Sequence, residues 1–403
     1  MDIFTIRYLR HSLHIDIFYL KKERKINGFF NVLKLFLKSI FSGKIYLQPK
    51  NENEHLFYFG SPNQYNALKN IYKSLKQNSI VCYQGNDVRF SDEPSFKFPF
   101  WQAYLNTLLS YPFIFKISNE FTNRFFSANK YVSYSRQIAY SLGAYETCLK
   151  ILKKSKPKYV WLSNDHSTIN VAFLYAAKKL KVKTIYLQHA SVSPKFPKLT
   201  FDYACLDGKI SFEIYKNIGI AKECQVFLTG ISKMDGWINI YPNRRSISKV
   251  LICINNVDNL KIYDDLIAKI NSLNILVKVR EHPYQIGSLS KNLKFETCIE
   301  NSIMESVKDA DLVIGGDSSI HLEATLCNIP CVYFNTNPKV YDYYGFITNN
   351  LVVAYFNMLE EVIDYLKIYT PVQDVYLKAK NYCDSIDKEY ENSSTDYILK
   401  KVL

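Results

Sequence analysis

The stretch LVIGGDSSIHLEATLCNIPCVYFN, residues 312–335, sets a Gly pair, an acid, two serines, a histidine and a glutamate between two apolar runs. Short apolar runs separated by a helical length read as strand, loop, helix and strand of a parallel sheet covered on both faces. The loop itself has two readings. The glycines at 315 and 316 let the backbone turn sharply and approach a ligand closely. The hydroxyls of Ser318 and Ser319, with the free N–H groups of the helix's first turn, suit an anion. Glu323, about one turn further on, suits a ribose. Asp317 or Ser318 as a helix cap, with Glu323 as its capping-box partner, accounts for the same residues. His321 shares this turn and is assigned to neither reading.

Working outward, the same pattern recurs along the chain. Strands are expected at 55–59, 79–83, 159–162, 184–187, 203–206 and 226–229, then at 250–254, 275–279, 311–314, 331–334 and 351–354. Two such series imply an α/β protein of two Rossmann-like domains in tandem. The polar segment SKMDGWINIYPNRRSIS (232–248) separates them. The expected domains are 1–232, with an aromatic-rich helical insertion at about 88–150, and 233–403, closed by one or two helices.

A length of 403 residues suits two domains, and 48% hydrophobic with 22% charged residues excludes a disordered chain. A net charge of +14 favours anionic partners, among them nucleotide-activated substrates and anionic lipid. The basic residues form no aromatic-interleaved run, which speaks against a single-stranded nucleic-acid binder. Nine cysteines are scattered through apolar runs. Cys327 and Cys331 have no second pair at metal-ligand spacing, so zinc is not expected. No cleavable signal and no bilayer-length apolar run stand out, which leads to an expectation of a reducing, cytoplasmic location. The segment KKERKINGFFNVLKLFLKSIFSGK (21–44) reads either as an interfacial helix contacting the inner membrane face or as a helix packed on the first domain.

In open α/β sheets, ligands bind beyond the carboxyl ends of the strands. After the 159–162 strand stand Ser163, Asn164, Asp165, His166 and Ser167. A single cap explains one of these five. Asp165 beside His166 offers a base or nucleophile with a neighbouring proton carrier. Gln188 and His189 end the next strand, on the same edge. Gly230, Lys233 and Asp235 fall in a hinge-like loop. In the second series, Lys278, Arg280, Glu281, His282 and Pro283 close a strand, and a histidine among cations suits a phosphate or a departing nucleotide. Lys278 and Arg280 lie on one strand face and Glu281 on the other. No P-loop and no strand-linked G-x-G-x-x-G is present, and no D-x-D pair suggests a metal, so metal-independent chemistry without a cofactor is expected.

Taken together, the HP at 282–283 and the DSS at 317–319 with its following Glu resemble motifs of bacterial GT-B glycosyltransferases. The sialyltransferase, polysialyltransferase and Kdo-transferase families are the nearest in kind. DHS (165–167), YLQHASVSPKFP (186–197), FDYACLDG (201–208) and TGISKMD (229–235) resemble capsule-polysaccharide transferases and, distantly, CDP-glycerol glycerophosphotransferases. The likeness spans about residues 155–340. It implies a CMP- or CDP-linked donor on the second domain, with His282 at its phosphate, Ser318 and Ser319 on phosphate or carboxylate, and Glu323 at ribose. It implies Asp165, or else His189, as base or nucleophile. Two departures weigh against a CDP-glycerol donor: Ile231-Ser232 follow Gly230 where Gly-x-Pro is usual, and Ala190 follows His189 where Gly is frequent. The expected function is therefore transfer of a CMP-activated nonulosonic acid or Kdo to a surface glycan, lipid-linked or free. A CDP-glycerol or CDP-ribitol polyol-phosphate transferase, and a non-catalytic scaffold of a glycan export complex, are the alternatives.

Overall fold

The computed structural model describes residues 8, 28–42, 53–84, 95–110, 131–242, 246–255, 257–282, 287, 289–290, 292–298 and 303–403. Its apolar runs form two sheets in which every pairing is parallel. The first holds β1 (His55–Phe59), β2 (Ser79–Tyr83), β3 (Ser95–Lys97), β4 (Tyr159–Leu162), β5 (Lys183–Leu187), β6 (Tyr203–Leu206) and β7 (Gln225–Leu228), in the order β3-β2-β1-β4-β5-β6-β7. The second holds β8 (Lys249–Cys253), β9 (Leu276–Arg280), β10 (Glu296–Thr297), β11 (Leu312–Gly315), β12 (Cys331–Phe334) and β13 (Ala354–Phe356), in the order β10-β9-β8-β11-β12-β13. Each order reverses once, between β1 and β4 and between β8 and β11. At such a switch point the connections leave to opposite sides and open a crevice.

The expected strands are present, five of them at the expected bounds and the others with small shifts. The expected 351–354 strand forms later, at Ala354–Phe356. Leu351 and Val352 are buried all the same, because the chain enters the sheet through a packed loop. The edge strands β3 and β10 were not expected, since neither carries an apolar run.

The helices α1 (Gly28–Ser42), α2 (Pro62–Leu75), α3 (Tyr131–Ser155), α4 (Thr168–Lys179) and α5 (Lys209–Ile218) accompany the first sheet. Ser61 caps α2 by accepting from the Gln64 N–H at 3.3 Å, and Pro62 stands in the first turn, where its missing N–H costs nothing. In α4 the nine residues 169–177 are all buried, so this helix is core rather than surface. It packs along α3. Tyr8 stacks on Tyr145 at 5.2 Å between them. On α1, Val32 is buried while Leu37, Ile40, Lys34 and Lys38 are exposed. Among the described residues no helix is long and apolar enough to cross a membrane.

The second sheet is flanked by α6 (Leu260–Ser272), α7 (Ile303–Val307), α8 (Ile320–Leu326) and α9 (Leu359–Lys367). The last helix, α10 (Ser394–Val402), does not stay with it. Residues 381–384 cross back, with the Asp384 N–H on the Asp207 carbonyl at 2.8 Å. Beyond them, Ile398 and Val402 join Phe57, Leu68, Trp161 and Leu187 in the core of the first sheet. Gly230 makes the crossing possible. Its φ of 72° is left-handed, and a Cβ there would lie 2.6 Å from the Oγ atoms of Ser385 and Ser394.

All nine cysteines are free thiols, seven of them buried, and burial raises the thiol pKa at both Cys327 and Cys331 to about 12.

Candidate active site

The loop after β4 divides its five polar residues between two tasks. Asn164 folds the loop, its Oδ1 accepting the His166 N–H at 3.0 Å and the Ser167 N–H at 2.6 Å. Ser163 donates to the Gln64 carbonyl at 3.3 Å, and Ser167 Oγ accepts from Asn170 at 2.6 Å. These three are structural.

Asp165 and His166 remain, and they form a coupled pair. Asp165 is fully buried. Its Oδ1 meets His166 Nδ1 at 2.8 Å, and its Oδ2 accepts from the Tyr215 hydroxyl at 2.6 Å. That phenol, on α5, is in turn 3.3 Å from the Tyr186 hydroxyl. With Nδ1–H donated to Asp165, His166 Nε2 keeps its lone pair, and the Asn164 amide approaches it at 3.3 Å. The imidazole is about one quarter exposed and leans on Phe196, with ring centroids 4.9 Å apart. Chemically this is a histidine base held in one tautomer by a buried carboxylate. The first candidate by sequence, Asp165, thus lies behind the ring on its Nδ1 side, and His166 is the more exposed member of the pair.

His189 follows β5 on the same edge and is only partly exposed. Burial first, and the neighbouring His166 second, lower its pKa to about 4. It is therefore neutral near pH 7, and its buried Nδ1 has no hydrogen-bond partner.

The second sheet brings its own loops to its carboxyl edge. Arg280 and Gly315 both pair with Cys253 of β8, so His282, Asn255 and Asp317 follow at one level. His282 and Ser318 stand two strands apart, roughly 10 Å. His282 is partly exposed and burial lowers its pKa, which makes it a neutral donor or acceptor rather than a cation. Pro283 lies outside the described residues. Ser318 and Ser319 are half-buried, and Ser319 makes no side-chain cap bond to α8. The helix cap is thus Ser319, one residue beyond the expected Asp317 or Ser318, and its hydroxyl does not cap the helix.

Several expected ligands have other partners. A Cβ on Gly316 would sit 2.6 Å from Asp258 Oδ1, so that glycine makes room for a carboxylate of the chain itself. Asp317 accepts the Tyr343 N–H at 2.5 Å, and its backbone carbonyl accepts from the Asn255 amide at 2.9 Å. Burial pushes the Asp317 carboxyl up to about 7. Arg280 donates to Ser306 Oγ at 3.0 Å, and Lys278 is buried in the sheet face. Glu323, expected at a ribose, pairs with Lys233 at 2.5 Å.

His321 is fully buried, stacked on Tyr333 with centroids 5.7 Å apart, with Nε2 at 2.8 Å from the Gly316 carbonyl. It pins the Gly315–Gly316 turn from beneath. Burial lowers its pKa to about 4, against an unfolded value near 6.5. Stability from this group is complete above pH ~6.5 and falls as pH drops toward 4, by up to about 1.4 kcal/mol per unit. His321→Gln is expected to flatten the stability slope across that window by one proton's worth, measured by urea unfolding at a series of pH values. An unchanged slope would mean that His321 is not held neutral.

Two bridges join the edges. Lys233, in the 3₁₀ turn Ser232–Met234, reaches Glu323 on α8, while Ser232 Oγ donates to the Ala67 carbonyl of α2 at 3.0 Å. Burial opposes the Lys233 charge, yet Glu323 outweighs it and the ammonium pKa is raised. Asp207 lies within electrostatic reach of both, and burial pushes its carboxyl well above the usual range against the pull of Lys233. The second bridge puts Lys195 over the Tyr343 ring at 5.1 Å. His189 feels the charges of His166, Asp165 and Lys233, so the first-sheet group lies near the Lys233–Glu323 bridge. Tyr215 and Tyr343 carried no sequence signal, because each lies in an otherwise ordinary apolar or turn segment, and Asp207 was noted only as part of FDYACLDG.

Among solved structures, similar folds include the UDP-GlcNAc 2-epimerase of Methanocaldococcus jannaschii, with TM-score 0.53 and 13% identity over 86% of this chain and 99% of that one. The wall teichoic acid polymerase TagF, in a structure with CDPG, has TM-score 0.51 and 12% identity over 98% of this chain and 96% of that one. The glycosyltransferase SnogD of Streptomyces nogalater has TM-score 0.51 and 11% identity over 87% of this chain and all of that one. No protein-family model matches the sequence, and no curated protein matches it in sequence. At these identities the likeness defines the fold: two Rossmann-like domains in the GT-B arrangement.

Proposed function

We propose that the chain transfers a cytidine-nucleotide-activated group to a hydroxyl of a bacterial surface glycan, with a CMP-linked sugar acid (nonulosonic acid or Kdo) as the first donor. The observation that carries this reading is the Asp165–His166 pair, a fixed-tautomer base at the switch point of the first sheet. His166 Nε2 takes the acceptor hydroxyl's proton as the oxygen attacks the donor carbon, and Asp165 balances the imidazolium that forms. Across the cleft, the Ser318 and Ser319 hydroxyls and His282 donate to the phosphate whose charge grows as it leaves. The reaction is read as independent of any metal, so turnover should persist in EDTA.

One observation favours a second donor. The TagF likeness extends over 98% of the chain, and the structure concerned was obtained with CDPG, so transfer of a polyol phosphate from a CDP-polyol is the other reading. Donor-consumption assays with CMP-sugar acids and CDP-polyols separate the two, and consumption of CDP-polyols alone would overturn the first. Before either assay, CMP or CDP is expected to raise the melting temperature where UDP and GDP do not. A ligand at 100 times its Kd adds about 2.7 kcal/mol. The Ser318→Ala/Ser319→Ala variant should lose most of that shift while melting normally without ligand.

A further inference from the structure

On the first sheet's amino edge, roughly 15 Å from Asp165 and His189 by strand length, lies a surface cavity of about 350 Å³. Lys153, Lys156, Lys158 and Lys181 line it, over a floor that includes Leu152, Leu180 and Val182. Lys154, Lys178, Lys179 and Lys183 belong to the same two connections, just before β4 and β5. Glu54 meets Lys158, Glu223 meets Lys178 and Asp202 meets Lys183.

The backbone adds an independent observation. Among the described residues, ten that are not glycine have a left-handed φ, and eight of them are Asn or Asp. Those two types tolerate the conformation best after glycine. The exceptions are Lys156, at φ 43°, and Lys181, at φ 59°. Both follow a helix C-terminus, where glycine is the usual residue, and both line this cavity. Two charged side chains are thus held in a strained conformation at one place.

We infer that this lysine-lined edge is a docking surface for an anionic lipid bilayer, with a headgroup phosphate seated in the cavity. Lysines are flexible point charges, suited to a field of phosphates rather than to forked recognition of one carboxylate. No aromatic ring lines the cavity, so it offers neither a stacking platform for sugars nor one for nucleic-acid bases. The aliphatic floor suits the glycerol region of a lipid. Apolar side chains flanked by lysines favour an interface over a soluble polyanion.

The test uses the full chain and phosphatidylcholine vesicles with or without phosphatidylglycerol. The wild type is expected to sediment with the anionic vesicles and to release in high salt. K156G/K181G should melt at or above the wild-type temperature, because glycine relieves the left-handed strain, while binding anionic vesicles about tenfold more weakly. K153Q/K181Q gives the same readout without touching φ at 156. Equal sedimentation with neutral and anionic vesicles would overturn the inference, as would undiminished binding by the folded variants. Binding of soluble polyphosphate with no vesicle binding would also overturn it, by marking the edge as a polyanion site.

Discussion

Replacing His166 with glutamine is expected to lower turnover by about 10²- to 10⁴-fold, the range a positioned general base supplies. Glutamine keeps a similar length and can still donate toward Asp165, so thermal melting should be nearly unchanged. Asp165→Asn should cost a comparable factor, since an amide at 2.8 Å from His166 Nδ1 no longer fixes the tautomer with Nε2 free. In that variant the Tyr215 hydroxyl also loses its charged acceptor, so some loss of stability accompanies the kinetic effect. His189→Gln is expected to cost far less, because the buried His189 Nδ1 has no hydrogen-bond partner to fix its tautomer. Full turnover in the His166 variant together with collapse in the His189 variant would reverse the assignment.

The second large effect falls on stability. Lys233→Ala should destabilise the chain by about 3–5 kcal/mol, because it leaves Glu323 buried without its cation and near Asp207. K233M/E323L, which removes both charges and fills the space with apolar groups, is expected to lie within about 1 kcal/mol of wild type. Urea unfolding of K233M, E323L and the K233M/E323L double variant gives the coupling directly. A Lys233→Ala protein as stable as wild type would show that the bridge between the sheets carries little weight.

Much of this architecture was readable from local chemistry. Central strands such as Tyr159–Leu162 and Cys331–Phe334 announce themselves because both faces are buried, so every residue is apolar. The edge strands Ser95–Lys97 and Glu296–Thr297 do not, since one row of backbone groups and little side-chain burial define them. At the site, the Asn164–His166 cluster stood out, but its division of labour did not. That division depends on Tyr215, fifty residues on, whose phenol reaches the carboxylate only once α5 packs on the sheet. Glu323 was read for its place in a motif. Its partner Lys233 lies ninety residues away across the cleft, beyond the reach of any local pattern. The orientation of His321 follows from the phase of a seven-residue helix, which the spacing of its apolar residues leaves undetermined.

The return of α10 to the first sheet also bears on the order of events during synthesis. Ile398 and Val402 complete a core built from Phe57, Leu68 and Trp161, and each buried aliphatic side chain contributes about 1.5–3 kcal/mol. Until residues 394–402 leave the ribosome, the strands laid down first keep part of that apolar surface open to water. A nascent chain paused after the second sheet is therefore expected to need a chaperone's cover on its earlier half. Protease protection of that half should rise only once the 394–402 segment has emerged.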